Sequence, residues 1–305
     1  MHRILSVLLG LTFSVSAAAS DGVLEINQAC ATQTGCFAGD TAGFPVTIVA
    51  SGSYKLSSNL ALNDVNTDGI VLSTDHVSID LAGFEIRGPV TCSGEIGTAS
   101  LTCTPSGGQG SGVEVSSPTV IGASVRSGSI RGMGSHGVSL GVQSEVTNLR
   151  VRSNASNGIN VIFGGNVSAN TAYQNGGNGM HALSGSSVSG NTAVHNGGYG
   201  IFGSSYSTVS GNTAGFNVSD GIFVYDGATV SNNTASNNFG IGIRAFSGSM
   251  VAGNTVRGNA SFGLFLREQS AYRDNVVSSN AAGAVSGLSF VNLGNNACDG
   301  STVCP

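Results

Sequence analysis

From Asn170 to Asn296 the chain repeats itself every 21 residues as N-T-A-x-x-N-x-x-x-G-apolar, and a period this short leaves few folds open. Copies start at Asn170, Asn191, Asn212, Asn233, Asn254 and Asn275, with a second Asn at Asn175, Asn196, Asn217, Asn238, Asn259 and Asn280. A Gly follows at Gly179, Gly200, Gly221, Gly242 and Gly263, replaced by Ala284 in the last copy. With one extra residue the register extends back to Asn148 and Gly158, then to Ser127 and Gly137. Such a unit lacks charged heptads and supplies neither helical periodicity nor helix caps, which leaves stacked β-rungs.

Alternation inside each unit supports rungs. After the Gly column come Ile159, Met180, Ile201, Ile222, Ile243, Leu264 and Val285, and two residues later Val161, Ala182, Gly203, Val224, Ala245, Leu266 and Gly287. Period-2 spacing turns both columns to one face of a strand and into a narrow core. Two further inward columns are Val167, Val188, Val209, Val230 and Val251, and Ala172, Ala193, Ala214 and Ala235. Three short strands per coil account for all four. Asn recurring at a turn tolerates left-handed geometry, and its amide can bond the same amide one coil away, so the Asn columns read as ladders.

With these N-G-[IV] repeats the chain resembles the right-handed parallel β-helix superfamily, the pectate-lyase-like solenoids, and within it the short-repeat proteins of secreted bacterial polysaccharide-active and surface types. The resemblance spans roughly the whole mature chain. It implies an all-β fold, a single solenoid with three strands per coil over residues 45–295, carrying a loop inserted around 89–112. Segments 45–49, 51–56, 68–72 and 77–88 look like its first coils. Residues 21–44, with Cys30 and Cys36, and residues 296–305, with Cys298 and Cys304, are expected to cap the two ends.

Residues 1–20 place His2 and Arg3 before an apolar run and Ala17-Ala18-Ala19, the pattern of a secretory signal. A secreted, periplasmic or cell-surface protein follows, without a transmembrane segment. The six cysteines fall into near pairs, Cys30/Cys36, Cys92/Cys103 and Cys298/Cys304, which an exported chain would oxidise to local disulfides. They lack the paired C-x-x-C spacing of a metal site. Net charge is −5 with a single lysine, Lys55, which disfavours a nucleic-acid surface.

Function in a solenoid belongs to outward side chains. On the strand after the Gly column these are Asn160, His181, Phe202, Phe223, Arg244 and Phe265, followed two residues on by Ile162, Leu183, Ser204, Tyr225, Phe246 and Arg267. A chain with only 6% aromatic residues that gathers its rings on one stripe calls for a partner. The partner is a sugar stacked on the rings, a protein surface or a second copy of the chain; alternatively the inserted loop covers the stripe. His181, Phe202, Phe223, Asp226 and Phe265 are the substrate-binding candidates here.

Uronate processing needs a cation to neutralise the carboxylate and a base to remove the adjacent proton. Arg244 or Arg267 fits the first role and Tyr225 the second; the bland counterpart is an exposed ion pair of Asp226 with Arg244 or Arg267. A second ridge, Arg131, Arg152, Gln174 and His195, could hold an anionic polysaccharide along the axis or simply solvate a strand. The family's signatures are absent. The Asp-Pro-His of mannuronan epimerases has no match, Asn170-Thr171-Ala172 carries Ala where polygalacturonases carry an acid, and no Asp cluster of the calcium type appears. No cofactor is expected. Two functions therefore compete: binding, with processing as a uronate lyase or epimerase, of an extracellular polysaccharide, or a non-catalytic surface protein that docks through its aromatic stripe. Ice binding is disfavoured because the rank beside the Thr171 to Thr255 column, Tyr173, Val194, Gly215, Ser236 and Arg257, is not a flat hydroxyl array.

Overall fold

The computed structural model describes residues 22–305. The expected signal segment, residues 1–20, lies outside them. Each coil uses the 21-residue unit the same way. In one example, Ile201–Gly203 is followed by a turn, Thr208–Ser210, a one-residue corner, and Thr213–Gly215. The next coil then repeats in register, with Ile201 beside Ile222, Val209 beside Val230 and Ala214 beside Ala235. The first strands of the coils stack into an eleven-stranded parallel sheet, and the other two strands of each coil share a twenty-one-stranded one. The result is a single parallel β-helix, three strands to the coil.

The inward columns form one core along the axis. Ile159, Met180, Ile201, Ile222, Ile243 and Leu264 are fully buried, as are the Val167 and Ala172 columns. Neighbouring coils bury continuous apolar surface that no coil could bury alone, which is why the repeat must be iterated.

Both Asn columns are ladders of buried amides. Asn191 Nδ2 donates to Asn212 Oδ1 at 3.0 Å and to the Val167 carbonyl at 2.8 Å, while its Oδ1 accepts from Asn170 N at 2.8 Å. Asn196 does the same with Asn217, Ala172 and Asn175. Every polar atom of these side chains is thereby satisfied, the condition for burying an amide at a corner. The left-handed residue is the one before each ladder Asn. It is Ala169, Phe216 or Asn237, with φ between 54° and 56°. The Gly column is coupled to the ladder: a Cβ on Gly179 would stand 2.7 Å from the Gly200 carbonyl oxygen and 2.8 Å from Asn196 Nδ2.

One register expectation fails. Leu149, not Asn148, occupies the ladder position before Asn170, donating its N–H to Asn170 Oδ1 at 2.9 Å, and Asn148 is the left-handed corner residue with φ 54°. The other ladder starts at Asn154.

At the ends, Leu24–Ile26 pairs with Gly52–Leu56 beside a short π-helical turn, Cys30–Thr34, and Tyr272 Oη donates to the carbonyl of Pro305. All three expected disulfides are present, Cys30–Cys36, Cys92–Cys103 and Cys298–Cys304. No helix among the described residues is long and apolar enough to cross a membrane.

The inserted loop is an antiparallel hairpin, Thr91–Ser93 with Thr102–Thr104, bridged by Cys92–Cys103. Its sulfurs lie 3.6 and 3.8 Å from the Asn154 carbonyl oxygen, and a Cβ on Gly176 would meet Cys103 Sγ at 3.0 Å. The loop therefore seals the corner of the second Asn ladder and leaves the aromatic stripe uncovered.

Candidate functional site

The outward positions of the eleven-stranded sheet form one row in strict register: Glu114, Ser139, Asn160, His181, Phe202, Phe223, Arg244 and Phe265. Seven steps of one coil make it about 34 Å long.

Its aromatic half is a stack. The rings of His181 and Phe202 lie 4.5 Å apart at 14°, and those of Phe202 and Phe223 5.5 Å apart at 6°. Tyr199, from the preceding turn, stacks on Phe223 at 5.1 Å. Parallel rings one coil apart turn their faces to each other and their edges to solvent, and Phe223 is only 6% exposed. The expectation of ring faces open to a sugar is corrected by this geometry. The ring that stands crosswise is Tyr225, at 75° and 80° to Phe202 and Phe223 and 38% exposed.

The Arg244 guanidinium lies between Phe223 and Phe265, 5.6 Å from each centroid, and Arg267 lies 5.4 Å from Phe246 and 5.8 Å from Phe265. Each such contact is worth about 0.5–1 kcal/mol at a partly exposed site. Tyr225 and Phe246 are 5.2 Å apart, so Tyr225, Arg244 and Arg267 do converge on one ring cluster. Asp226 does not join them: it is exposed in the adjoining turn and forms no ion pair among the described residues. The partner of Arg244 is Asp220, with Nε donating to Oδ2 at 2.7 Å. Arg267 Nη1 is 3.9 Å from Glu268 Oε1.

Asp220 belongs to a column just before the Gly column that alternation does not reveal. Asp68, His136, Asn157, Asn178 and Asp220 each use a side-chain atom to accept the backbone N–H of the next coil, at 2.7 to 3.3 Å. The recurring polar residue before Gly, as in Asn157-Gly158, Asn178-Gly179 and Asp220-Gly221, was the available signal.

The other half of the row carries acids and imidazoles that the repeat pattern did not single out. The carboxyls of Asp68 and Glu114 face one another, and burial raises both above the usual carboxylate range. Burial also lowers His136, which the nearby His181 lowers further, and it lowers His181 itself. His181 Nδ1 is 2.8 Å from Asn160 Oδ1, and Asn160 Nδ2 donates to Ser139 Oγ at 3.4 Å. With its amide held that way, Asn160 accepts from His181 Nδ1–H and leaves Nε2 with the lone pair. A cleft of about 140 Å³ lined by Glu114, Ser139, Asn160 and Ile162 opens beside them. Among the described residues no three His, Cys, Asp or Glu side chains are grouped to hold a metal ion.

The second ridge is not one column. Arg152 stands between Arg131 and Tyr173, and Arg131 continues to Arg87. Gln174 and His195 occupy the left-handed corner one residue on, with φ 53° and 55°. His195 is fully buried, with neither ring nitrogen in a formed hydrogen bond, and burial lowers its pKa; the Glu95 backbone of the hairpin lies beside it. It is therefore not available to a ligand on that ridge. Spacing alone sets the ridge one position out of register: the coils here are 21 residues long, Arg131 to Arg152 to Tyr173, with no extra residue at Asn148.

The family model described as "Right handed beta helix region" matches residues 111–259. No curated protein matches the sequence. Among solved structures, the chain is similar to the Azotobacter vinelandii mannuronan C-5 epimerase AlgE4 A-module, at 13% identity and TM-score 0.50, over 79% of this chain and 87% of that one. A double mutant of the periplasmic alginate epimerase AlgG gives 14% identity and TM-score 0.55, over 81% and 69%. At such identities the likeness is one of fold. The chain is a right-handed parallel β-helix repeat protein whose coils from residue 111 to 259 match the family model and whose remaining coils continue the same solenoid.

Proposed function

We propose that this protein is an exported β-helix that binds a linear polysaccharide along the outward row of its eleven-stranded sheet. The observation that carries this reading is the row itself: hydrogen-bonding groups at Glu114, Ser139, Asn160 and His181 lead, through the stacked rings of Phe202 and Phe223, into the Tyr225, Arg244 and Arg267 cluster. An axial row of about 34 Å suits an extended polymer better than a compact ligand. Tyr225 supplies the crosswise ring and the arginines the flanking donors. Three disulfides fit an oxidising compartment. Two structural neighbours, a mannuronan C-5 epimerase module and a periplasmic alginate epimerase, are named for action on a polysaccharide, which supports a carbohydrate partner.

The finer form of the reading is uronate processing at Tyr225, Arg244 and Arg267, as a lyase or an epimerase. Asp220 already compensates the Arg244 charge, which weakens that form and favours binding over turnover. The test is binding of the mature chain to alginate, pectate and neutral glucans by affinity electrophoresis, beside ultraviolet absorbance for unsaturated uronates and proton NMR for epimerised ones. Binding lost in Tyr225→Ala supports the row. Turnover lost in Arg244→Ala would add the chemistry, and absence of binding to every polymer would overturn the reading.

A further inference from the structure

A different face of the molecule carries a second arrangement. On the twenty-one-stranded sheet Arg87, Arg131 and Arg152 stand in one column in adjacent coils, with Arg150 one outward position away from Arg152. Like charges directly opposite one another destabilise a sheet. Only one of the three stacked arginines is compensated, by Arg131 Nε to Glu85 Oε1 at 2.9 Å. Among the described residues Arg87, Arg150 and Arg152 form no ion pair or side-chain hydrogen bond, in a chain whose net charge is −5.

Beside this column runs a concave corner. The left-handed residues Ser127, Asn148 and Ala169 bend the sheet between the two strands of each coil, with φ 62°, 54° and 56°. The bend leaves a groove of about 350 Å³ lined by Ser127, Ser129, Asn148, Arg150 and Thr171. Hydroxyls continue on both sides of the same corner in the following coils, Ser168, Ser189, Ser210 and Ser231 facing Thr171, Thr192, Thr213 and Thr234.

We propose that this corner groove, with Arg87, Arg150 and Arg152 along it, binds an acidic polysaccharide laid lengthwise on the solenoid. Arg87 and Arg152 stand two coils, about 9.6 Å, apart on either side of the Glu85-paired Arg131, and Arg150 shares the coil of Arg152, a spacing that meets a polymer carrying a carboxylate or sulfate on its successive or alternate sugars. The hydroxyls and the Asn148 amide meet its neutral oxygens. No aromatic side chain lines the groove, which removes the stacking platforms that single-stranded nucleic acid uses. The site is separate from the row on the other sheet and takes its ligand by charge rather than by a ring.

The test titrates the full mature chain with polygalacturonate, with dextran as the neutral polymer and single-stranded DNA as the other polyanion, by calorimetry at low and high salt. Polygalacturonate binding that weakens steeply with salt is expected, with affinity falling about tenfold in Arg150→Gln/Arg152→Gln and unchanged in Arg273→Gln, an exposed arginine on the C-terminal coils. Thr171→Trp fills the groove without changing charge and is expected to weaken binding as well, with circular dichroism confirming an unchanged fold. Equal affinity in the arginine double variant, binding to DNA as tight as to polygalacturonate, or an equal loss in Arg273→Gln would each overturn the proposal.

Discussion

Asp220, whose side chain is 3% exposed, holds Arg244 at 2.7 Å with one carboxylate oxygen and caps the Ile241 N–H at 2.7 Å with the other. One side chain thus ties two adjacent coils together and fixes the cation sandwiched between Phe223 and Phe265. Asp220→Asn keeps the cap, since Asn157 and Asn178 cap in the same column, and removes the charge. The expected outcome is a loss of about 1–3 kcal/mol in denaturant unfolding, together with tighter binding of acidic polymers to the row as Arg244 becomes uncompensated.

Phe223 and Tyr225 separate folding from binding. Phe223→Ala removes a ring held between Phe202 and Arg244 and should destabilise the chain by about 3 kcal/mol. Tyr225→Ala should leave the unfolding midpoint nearly unchanged while weakening polymer retention in affinity electrophoresis. A Tyr225 variant that unfolds as early as the Phe223 variant would remove Tyr225 from the binding role.

The Asn ladders should respond by position. Asn212→Leu breaks bonds to coils on both sides, Asn191 N to Oδ1 at 2.8 Å and Nδ2 to Asn233 Oδ1 at 2.9 Å, and buries orphaned donors at a cost of about 2–5 kcal/mol. Asn170 ends its ladder against Leu149, so Asn170→Leu should cost clearly less. Comparing the two urea midpoints checks this, and equal losses would mean that the ladder contributes no cooperativity along the axis.

Two pH effects of opposite sign are expected. Burial raises Asp68 and Glu114, so the folded state holds protons that the unfolded chain releases, and stability is lost as pH rises above about 4. Glu114→Gln should flatten that loss in thermal melts. Burial lowers His195, so stability is instead lost as pH falls below about 6.5, where only the unfolded chain takes up the proton. His195→Asn, which tolerates the left-handed corner, should reduce this second slope without altering the first, the remainder belonging to His136 and His181, which burial also lowers.

The core columns, both Asn ladders, the coil length and the three disulfides were legible because each repeats a local rule. Ile201 and Ile222 follow the same alternation, and an Asn that recurs every 21 residues has its own copy as partner. What escaped were the features that break the rule. Asn148 sits at the corner and imitates a ladder residue although Leu149 holds that place, so spacing alone counts an extra residue and sets Arg152 beside Gln174 instead of Tyr173. The hairpin at 91–104 has no repeat to align, so its landing over His195 was invisible. Spacing placed Phe202 and Phe223 in one column without fixing their side-chain torsions, and these decide whether faces or edges meet solvent. Asp220 was missed because its column lies in the turn, outside the strand alternation that located Asp226.

Because each coil meets its neighbours through the same bonds, the solenoid behaves as a ruler graduated in units of 21 residues. Excising residues 191–211 would join Gly190 to Asn212, and every position downstream would find an equivalent partner one coil earlier. Asn170 would then face Asn212, and His181 would lie on Phe223 in place of Phe202. Removing a single residue has no such equivalent and would turn every inward side chain downstream to the outward face unless a corner absorbed it. Whole coils can therefore be gained or lost while the interior stays in phase, so the span of polymer such a protein can grip is set by counting coils, independently of the chemistry at any one of them.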